Sequence, residues 1–286
     1  MQMIEDVGKL GAALAALRAG AASIALVPTM GALHAGHMAL LAEARRRARH
    51  VVASVFVNPA QFGPGEDLER YPRRLKEDAA LLEEAGCALL WAPDAGAMYP
   101  SGFAAGVDPG PLGGILEGAR RPGHFAGVAT VVAKLFNQVS PDIALFGEKD
   151  YQQLLVIRRM ARDVDFPVEI VAVPTVREPD GLALSSRNAY LSPAEREAAR
   201  ALPEALQEAA RAIASGGEAG AALAKARARL AAAGFDPVDY VVLADAGTLA
   251  GMRRLDRPAR LLAAASIGGT RLIDNLPLAP PKVKRR

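Results

Sequence analysis

Short apolar runs alternate with amphipathic helical segments through the first 175 residues of this 286-residue chain. The runs are apolar throughout, which is typical of strands that are buried on both faces of a parallel sheet. The order of strands and helices predicts an α/β fold with a doubly wound parallel sheet. The predicted helices are residues 37–50, 72–86, 123–139 and 150–164. The predicted strands are residues 23–28, 51–58, 88–93, 142–147 and 168–174.

The pattern changes after residue 175, where we expect a second, smaller α+β domain. A helix is predicted to begin after Ser192, with Pro193 in its first turn and Glu195 as the capping-box acid. A second Ala-rich helix and three strand-like segments follow. The predicted domains are residues 1–176 and 177–286, with the junction inside "VREPDGLALSSRN". The tail "APPKVKRR" is predicted to be disordered.

Charge and cysteine content argue against several classes of protein. The net charge is +3, which is too small to indicate a nucleic-acid-binding protein. Cys87 is the only cysteine, so no disulfide can form within the chain and a cytoplasmic location is expected. Residues 19–42 carry no formal charge, but Pro28, Gly31, Gly36 and two histidines argue against a membrane span. We therefore expect neither nucleic acid nor membrane as a partner.

The segment "PTMGALHAGH" (28–37) stands between a predicted strand and a predicted helix. A helix N-terminus attracts anions, and Gly31 and Gly36 let the backbone approach a ligand closely. His34 and His37 lie on the same side of this turn and can donate to phosphate oxygens. A metal site, a purely structural pair and the nucleotide site of nucleotidyl-transferring α/β enzymes all remain open. The nucleotide site is favoured, because a metal site would need further ligands that the sequence does not supply nearby.

Three further polar segments extend this hypothesis. "LSSRN" (184–188) offers two hydroxyls and a guanidinium, which binds phosphate bidentately, although a flexible polar loop is the alternative. "FGEKDYQQL" (146–154) follows a strand, and its Lys149 can offset phosphate charge while Asp150 can reach a ribose or a metal. A plain helix-capping turn is the alternative there. "FVNPAQFG" (56–63) is another strand-end loop.

These segments together resemble the pantoate–β-alanine ligase family. The resemblance rests on "PTMGALHAGH", "FVNPAQFGPGEDLERYPR", "GHFAGVATVVAKLFNQVSPDIALFGEKDYQQL" and "DGLALSSRN", which follow one another in this order. The C-terminal third resembles the family only in pattern. The resemblance implies a Rossmann-like nucleotide-binding and catalytic domain, a C-terminal domain that acts as a lid, and a cytoplasmic homodimer. It also implies ATP as a substrate and Mg²⁺ as a cofactor.

The resemblance implies a reaction in two steps. Pantoate attacks the α-phosphorus of ATP to give pantoyl adenylate, and β-alanine then attacks the acyl carbon to give pantothenate and AMP. Gln61 and Gln153 match the family's pantoate-binding pair, and they are the residues predicted to bind pantoate and β-alanine. Neutral amides suit a carboxylate that must remain reactive.

The resemblance also indicates the remaining site residues. His34, His37 and Lys149 are the predicted catalytic residues, and Asp78 is the predicted metal ligand. The predicted ATP-binding residues lie at strand ends and in "LSSRN"; they are Met30, Gly31, Ala32, Leu33, His34, Ala35, Gly36, His37, Gly147, Glu148, Lys149, Asp150, Val176, Leu184, Ser185, Ser186 and Arg187.

Two other functions remain as alternatives. Another nucleotidyltransferase acting on a phosphorylated small molecule would carry basic residues near Gln61 in place of amides. A nucleic-acid-binding module using the arginine-rich helix would show steep salt dependence of polynucleotide binding.

Overall fold

The computed structural model describes residues 1–280, and a six-stranded sheet lies within residues 1–175. All neighbouring strands are parallel, in the order β1-β4-β3-β2-β5-β6. The predicted doubly wound fold is therefore confirmed. The strands are β1 (Gln2–Ile4), β2 (Ile24–Thr29), β3 (His50–Val55), β4 (Leu89–Trp91), β5 (Ile143–Gly147) and β6 (Glu169–Val173).

The predicted helices of this region are all present, with small changes at their ends. The predicted strand over 51–58 ends earlier, at Val55, because Asn58 caps a 3₁₀ helix (Pro59–Gln61) and Pro59 has no N–H to continue a ladder. The helices are α1 (Val7–Leu17), α2 (Ala35–Arg47), α3 (Leu75–Glu84), α4 (Ala95–Met98), α5 (Glu117–Arg120), α6 (His124–Val139) and α7 (Tyr151–Asp163).

The central strand β2 explains why its sequence is apolar at every position. Ile24, Ala25, Leu26 and Val27 are all completely buried, so both faces of the strand are covered. Successive side chains of a strand point to opposite faces, and only a sheet with helices on both sides buries all of them.

Strand β1 and helix α1 were not predicted. β1 has only three residues and pairs with β4 at the sheet edge, and two of its three residues are exposed. Such a short strand carries no periodic signal, because its position depends on pairing with a segment almost ninety residues away.

Residues from 176 onward contain a three-stranded antiparallel sheet in the order β7-β8-β9. The strands coincide with the three predicted strand-like segments, and the fold-class prediction of a smaller α+β region is confirmed. The elements are α8 (Pro193–Ala198), α9 (Ala201–Ala214), α10 (Ala219–Ala232), β7 (Val238–Asp245), β8 (Ala259–Ile267) and β9 (Thr270–Leu278).

The helix predicted after Ser192 is interrupted. Ser192 and Glu195 form the predicted capping box at the start of α8. A break follows at Arg200, and α9 begins at the next residue. Pro203 accounts for the break, because proline lacks the N–H that would bond the carbonyl of Ala199.

The chain divides by its internal contacts into two compact units. The first unit consists of residues 1–148 and 153–175, and the second of residues 149–152 and the chain from Val176 onward. None of the helices within residues 1–280 combines the length and the apolar character that a membrane crossing requires. The predicted disorder of the tail concerns mainly residues 281–286, which lie outside the described part of the chain.

Candidate active site

The strand order of the first sheet reverses at β2 and β5, which are neighbours although the chain forms β3 and β4 between them. In doubly wound sheets, ligands bind at such a point, outside the carboxyl ends of the strands. β2 leads into Met30 and the histidines, and β5 leads through Gly147 into Glu148. β3 lies on the other side of β2 and leads to Gln61. The topology therefore brings three predicted site segments to one edge of the sheet.

Residues 29–37, which we call the histidine turn, need glycine at position 31. Gly31 has a φ of +83°, in the left-handed region that glycine tolerates best. A Cβ atom there would lie 2.8 Å from Oδ2 of Asp78. The hydroxyl of Thr29 donates to a carbonyl of β3 at 2.8 Å and accepts from the N–H of Gly31 at 3.2 Å. The turn is thus packed closely against its neighbours.

Asp78 of α3 anchors the histidine turn. The residue is only 2% exposed, and its two carboxylate oxygens accept from the backbone N–H groups of Ala32 and Leu33, at 3.0 and 2.8 Å. These two donors offset the cost of burying a carboxylate. Within residues 1–280, no group of three His, Cys, Asp or Glu side chains is arranged to hold a metal ion. The geometry gives Asp78 a structural role, and its role as a metal ligand stays a prediction.

The two imidazole rings lie side by side at the start of α2, with centroids 4.2 Å apart. His34 is the N-cap residue, and its Nδ1 accepts from the N–H of Gly36 at 3.1 Å. Nδ1 of His37 accepts from the backbone N–H of His34 at 3.2 Å. A ring nitrogen that accepts carries no proton, so each neutral imidazole has its hydrogen on Nε2. The backbone therefore fixes both rings in the tautomer that makes Nε2 a donor.

Residues 58–61, which we call the glutamine loop, place a buried amide next to Met30. Gln61 is 8% exposed; its Oε1 accepts from Nδ2 of Asn58 at 3.0 Å, and its Nε2 donates to Sδ of Met30 at 3.1 Å. A thioether is a weak acceptor. A hydroxyl or carboxylate oxygen of a ligand would be a stronger partner for this N–H.

Two residues outside the predicted site hold the glutamine loop. Gly127 of α6 leaves no space for a side chain, because a Cβ atom there would lie 2.1 Å from the carbonyl oxygen of Ala60. The hydroxyl of Tyr99 donates to Oδ1 of Asn58 at 2.7 Å. Burial raises the pKa of Tyr99 to about 12, so the hydroxyl keeps its proton. No short-range sequence pattern connects these residues with the loop.

An ion pair and a neutral imidazole bind the backbone of Gln61. Nη2 of Arg121 donates to the Gln61 carbonyl oxygen at 3.3 Å, and Nδ1 of His124 lies 2.8 Å from it. Because a carbonyl only accepts, Nδ1 of His124 carries a proton, and its Nε2 accepts from Arg121 at 3.1 Å. Burial and the Arg121 charge lower the pKa of His124 to about 4. Arg121 is paired bidentately with Glu66, at 2.8 and 2.6 Å.

In the second unit, a short hairpin leads to the predicted ATP-binding serines. The N–H of Leu184 donates to the carbonyl of Val176 at 3.0 Å, which closes the hairpin. Arg177 at its base binds the carboxylate of Asp274 through two nitrogens, at 2.7 and 2.8 Å. The Asp274 side chain is completely buried, so this bidentate pair ties the hairpin to β9.

Ser185 and Lys149 also belong to the second unit. Oγ of Ser185 accepts from the N–H of Arg187 at 3.3 Å, which caps the 3₁₀ helix Ser186–Tyr190. Lys149 lies in a 3₁₀ turn directly after β5, and its Nζ is 3.7 Å from Oδ1 of Asp150.

The predicted site residues are thus divided between the two units. The first unit contains the histidine turn, Asp78, Gly147, Glu148 and both glutamines, with Gln153 half-buried in the first turn of α7. The second unit contains the others, namely Lys149, Asp150, Val176, Leu184, Ser185, Ser186 and Arg187.

Comparison with known proteins identifies the relatives of the chain. Residues 2–277 match the pantoate-beta-alanine ligase family. The chain belongs to this family. It is therefore a ligase, and the expectation drawn from the four motifs is confirmed. A pantothenate synthetase of Rhizorhabdus wittichii is 62% identical over 280 residues, which cover 98% of this chain and 99% of the relative.

Solved structures of pantoate-beta-alanine ligases share the fold. The pantothenate synthetase from Thermus thermophilus is 52% identical, with a TM-score of 0.91 over 98% of this chain and 100% of that one. The ligase from Francisella tularensis, in complex with beta-gamma ATP and beta-alanine, is 32% identical. Its TM-score is 0.83 over 96% of this chain and 97% of that one.

Proposed function

We propose that this pantoate-beta-alanine ligase joins (R)-pantoate to β-alanine with ATP as the energy source and pantoyl adenylate as the intermediate. The observation that carries the proposal is the imidazole pair at the start of α2, held with Nε2 as the donor nitrogen of each ring. The pair follows β2 at the point where doubly wound sheets bind nucleotides. The Francisella relative in complex with beta-gamma ATP and beta-alanine supports the same substrates.

In the first step, a carboxylate oxygen of pantoate attacks the α-phosphorus of ATP. The new O–P bond forms while the bond to the bridging oxygen breaks, and pyrophosphate leaves. One anion attacks another, so alignment and charge neutralisation contribute more than covalent catalysis. We assign His34 and His37 as hydrogen-bond donors to the phosphates, and Lys149 as the positive charge that offsets them. The remaining predicted ATP-binding residues hold the nucleotide.

In the second step, the amine of β-alanine attacks the acyl carbon of the adenylate. The amide bond forms, AMP leaves with the electrons of the C–O bond, and the surplus proton of the amine goes to solvent. The chain's own thiol does not suit an acyl-enzyme route. Burial raises the pKa of Cys87 to about 11, and its sulfur contacts two backbone carbonyls within the first unit.

The surroundings of Gln61 favour pantoate over a phosphorylated substrate. Neutral amides accept and donate to hydroxyls without neutralising a carboxylate that must attack. Arg121 is close to the loop, but its charge is paired with Glu66. A second nucleotidyltransferase function, with a phosphorylated substrate, would require a basic side chain that is not already paired in this way. We assign Gln61 on this basis, and Gln153 on the family resemblance, to the binding of pantoate and β-alanine.

We propose that Mg²⁺ binds together with ATP, as part of the substrate. Within residues 1–280, the side chains provide no group of three ligands for a resident metal. Mg²⁺ is commonly held by one or two carboxylates together with substrate phosphates. The side chains of the chain are therefore better suited to an Mg²⁺ ion that binds as MgATP than to an ion bound in a separate protein site.

We further propose that the chain acts in the cytoplasm as a homodimer, with the second unit as a lid domain. The family resemblance supports these assignments. A single buried thiol fits a reducing compartment. Light scattering coupled to gel filtration tests the dimer, which is contradicted by a monomeric mass at assay concentrations.

AMP formation tests the whole reaction. ATP is supplied alone, with pantoate, with β-alanine, and with both. We expect pantoate alone to release a single equivalent of pyrophosphate per site, and sustained AMP formation only with both substrates. Sustained turnover without β-alanine, or a requirement for a phosphorylated substrate, would overturn the proposal.

A further inference from the structure

Two consecutive residues of β9 bind segments that carry predicted ATP-binding residues. Asp274 and Asn275 point to opposite faces of the second sheet, because strand side chains alternate. Asp274 binds Arg177 at the base of the hairpin that leads to Ser185. Nδ2 of Asn275 donates to the backbone carbonyl of Lys149 at 2.9 Å. All of these contacts lie within the second unit.

The hydrogen bonds of Asn275 determine how its amide is oriented. The residue is 3% exposed, and its Oδ1 accepts from Nη1 of Arg260 at 2.9 Å. A guanidinium can only donate and a carbonyl can only accept. The oxygen of the amide must therefore face Arg260 and its nitrogen must face Lys149. Both partners favour the same orientation, so the side chain has no equivalent alternative.

The nearby residue Tyr151 is held by Arg260 of β8 and by Ala246, which directly follows β7. The Arg260 guanidinium stacks on the Tyr151 ring, with Cζ 3.9 Å from the centroid. The Tyr151 hydroxyl donates to the carbonyl of Ala246 at 2.8 Å. The backbone carbonyl of Lys149 and the side chain of Tyr151, on either side of Asp150, are thus both held by contacts within the second unit.

We propose that Asn275, oriented by Arg260, is a positioning residue that fixes Lys149 for the adenylation step. This inference rests on the proposed catalytic role of Lys149. A preorganised charge stabilises the transition state more than one that must be ordered during the reaction. Loss of the bond to the Lys149 carbonyl should therefore slow adenylation while the pantoate-binding residues of the first unit keep their affinity.

Asn275→Asp separates the two bonds, because it keeps the size of the side chain and an acceptor for Arg260. The second carboxylate oxygen then faces the Lys149 carbonyl oxygen and repels it, because neither oxygen can donate a hydrogen bond. We expect single-turnover pyrophosphate release to fall about tenfold, with the KM for pantoate unchanged. Arg260→Met keeps the aliphatic stem beside Tyr151 and is expected to cause a smaller loss of the same kind. It serves as the test if the first variant does not fold.

The decisive measurement repeats both substitutions in a Lys149→Ala background. A residue that acts through Lys149 has no further effect on adenylation once Lys149 is removed, whereas a general structural effect adds to the loss. An additive tenfold loss, or full activity of Asn275→Asp, overturns the inference. Normal adenylation by Lys149→Ala itself overturns the proposed role of Lys149, which separates the two failures.

Arg271→Gln is the matched control on the same strand. Its Nε donates to Asp239 of β7 at 2.7 Å, and the residue lies about 13 Å from Asn275 along β9. We expect the substitution to lower thermal stability without changing the rate of adenylation. An equal loss of adenylation in this control would show that any weakening of β9 suffices, and would overturn the specific role of Asn275.

Discussion

The histidine turn and the glutamine loop follow neighbouring strands of one sheet, yet they are held in different ways. The Thr29 hydroxyl and the two imidazoles bind backbone N–H groups of the histidine turn two or three residues away. Asp78, a β3 carbonyl and Gln61 add contacts from distant parts of the sequence. The glutamine loop depends on partners 41 to 69 residues away in the sequence. The turn carries two imidazoles, whereas the loop carries neutral amides. A short motif encodes the local hydrogen bonds of the histidine turn, whereas the contacts of the glutamine loop form only when distant segments pack together.

The largest expected effect concerns His37 in the histidine turn. His37→Asn keeps an acceptor near Nδ1 for the His34 N–H but removes the Nε2 donor. We expect adenylation to fall by about 10² to 10³ with little change in melting temperature, as for other lost transition-state donors. His37→Gln, which places an N–H near Nε2, should recover part of the rate. Near-normal turnover of the Asn variant would contradict the donor role.

His124, which supports the glutamine loop, should make the free energy of unfolding depend on pH. His124 has a pKa of about 4 in the fold, below its ordinary 6.5, because it is buried beside Arg121. The unfolded chain therefore binds a proton that the folded chain does not, and stability falls as pH drops from about 6.5 to 4. The total loss is about 3 kcal/mol.

His124→Asn tests this pH dependence. The asparagine amide can still donate to the Gln61 carbonyl, but it does not titrate. Urea unfolding of both proteins at several pH values should give a flatter profile for the variant. Parallel profiles would show that other groups cause the acid sensitivity.

Substitution of the two glutamines tests whether pantoate and ATP bind to different residues. Removing a buried hydrogen-bond partner costs roughly 1 to 3 kcal/mol, which is about a 5- to 150-fold loss of affinity. Gln61→Ala and Gln153→Ala should lose this affinity for pantoate and bind ATP nearly as before, measured by calorimetry with each ligand separately. If both variants weakened ATP and left pantoate unchanged, the subsites would be interchanged.

The smallest effect is expected at Asp78, the distant anchor of the histidine turn. Asp78→Asn replaces one accepting oxygen by an NH₂ group that faces a backbone N–H. We expect a loss of about 1.5 kcal/mol in the free energy of unfolding, measured with a chelator present. The loss should be the same with Mg²⁺. Unchanged stability combined with a raised Mg²⁺ requirement would instead support the metal-ligand prediction.

The sequence predicted those parts of the fold and of the site that contiguous residue patterns encode. The apolar runs indicated the central strands, and "HAGH" after a strand indicated the imidazole pair. Asp78 was predicted as a metal ligand from the family resemblance, but its two backbone partners depend on how α3 packs against the turn. The roles of Tyr99, His124 and Asn275 follow from contacts between distant segments. Strand register and the packing of distant segments determine these contacts, and no short-range spacing in the sequence predicts them.

The buried thiol of Cys87 gives this protein an internal reporter of how often its first sheet opens. The thiolate is the form that attacks alkylating reagents and displaces their leaving group, and a pKa of about 11 leaves about one thiol in a thousand ionised at pH 8. The sulfur lies under β3 and β4, against the carbonyls of Val51 and Leu89. Alkylation of the native protein therefore follows transient opening of this region. A ligand that binds only the closed form should slow it in proportion to its occupancy, without any engineered label.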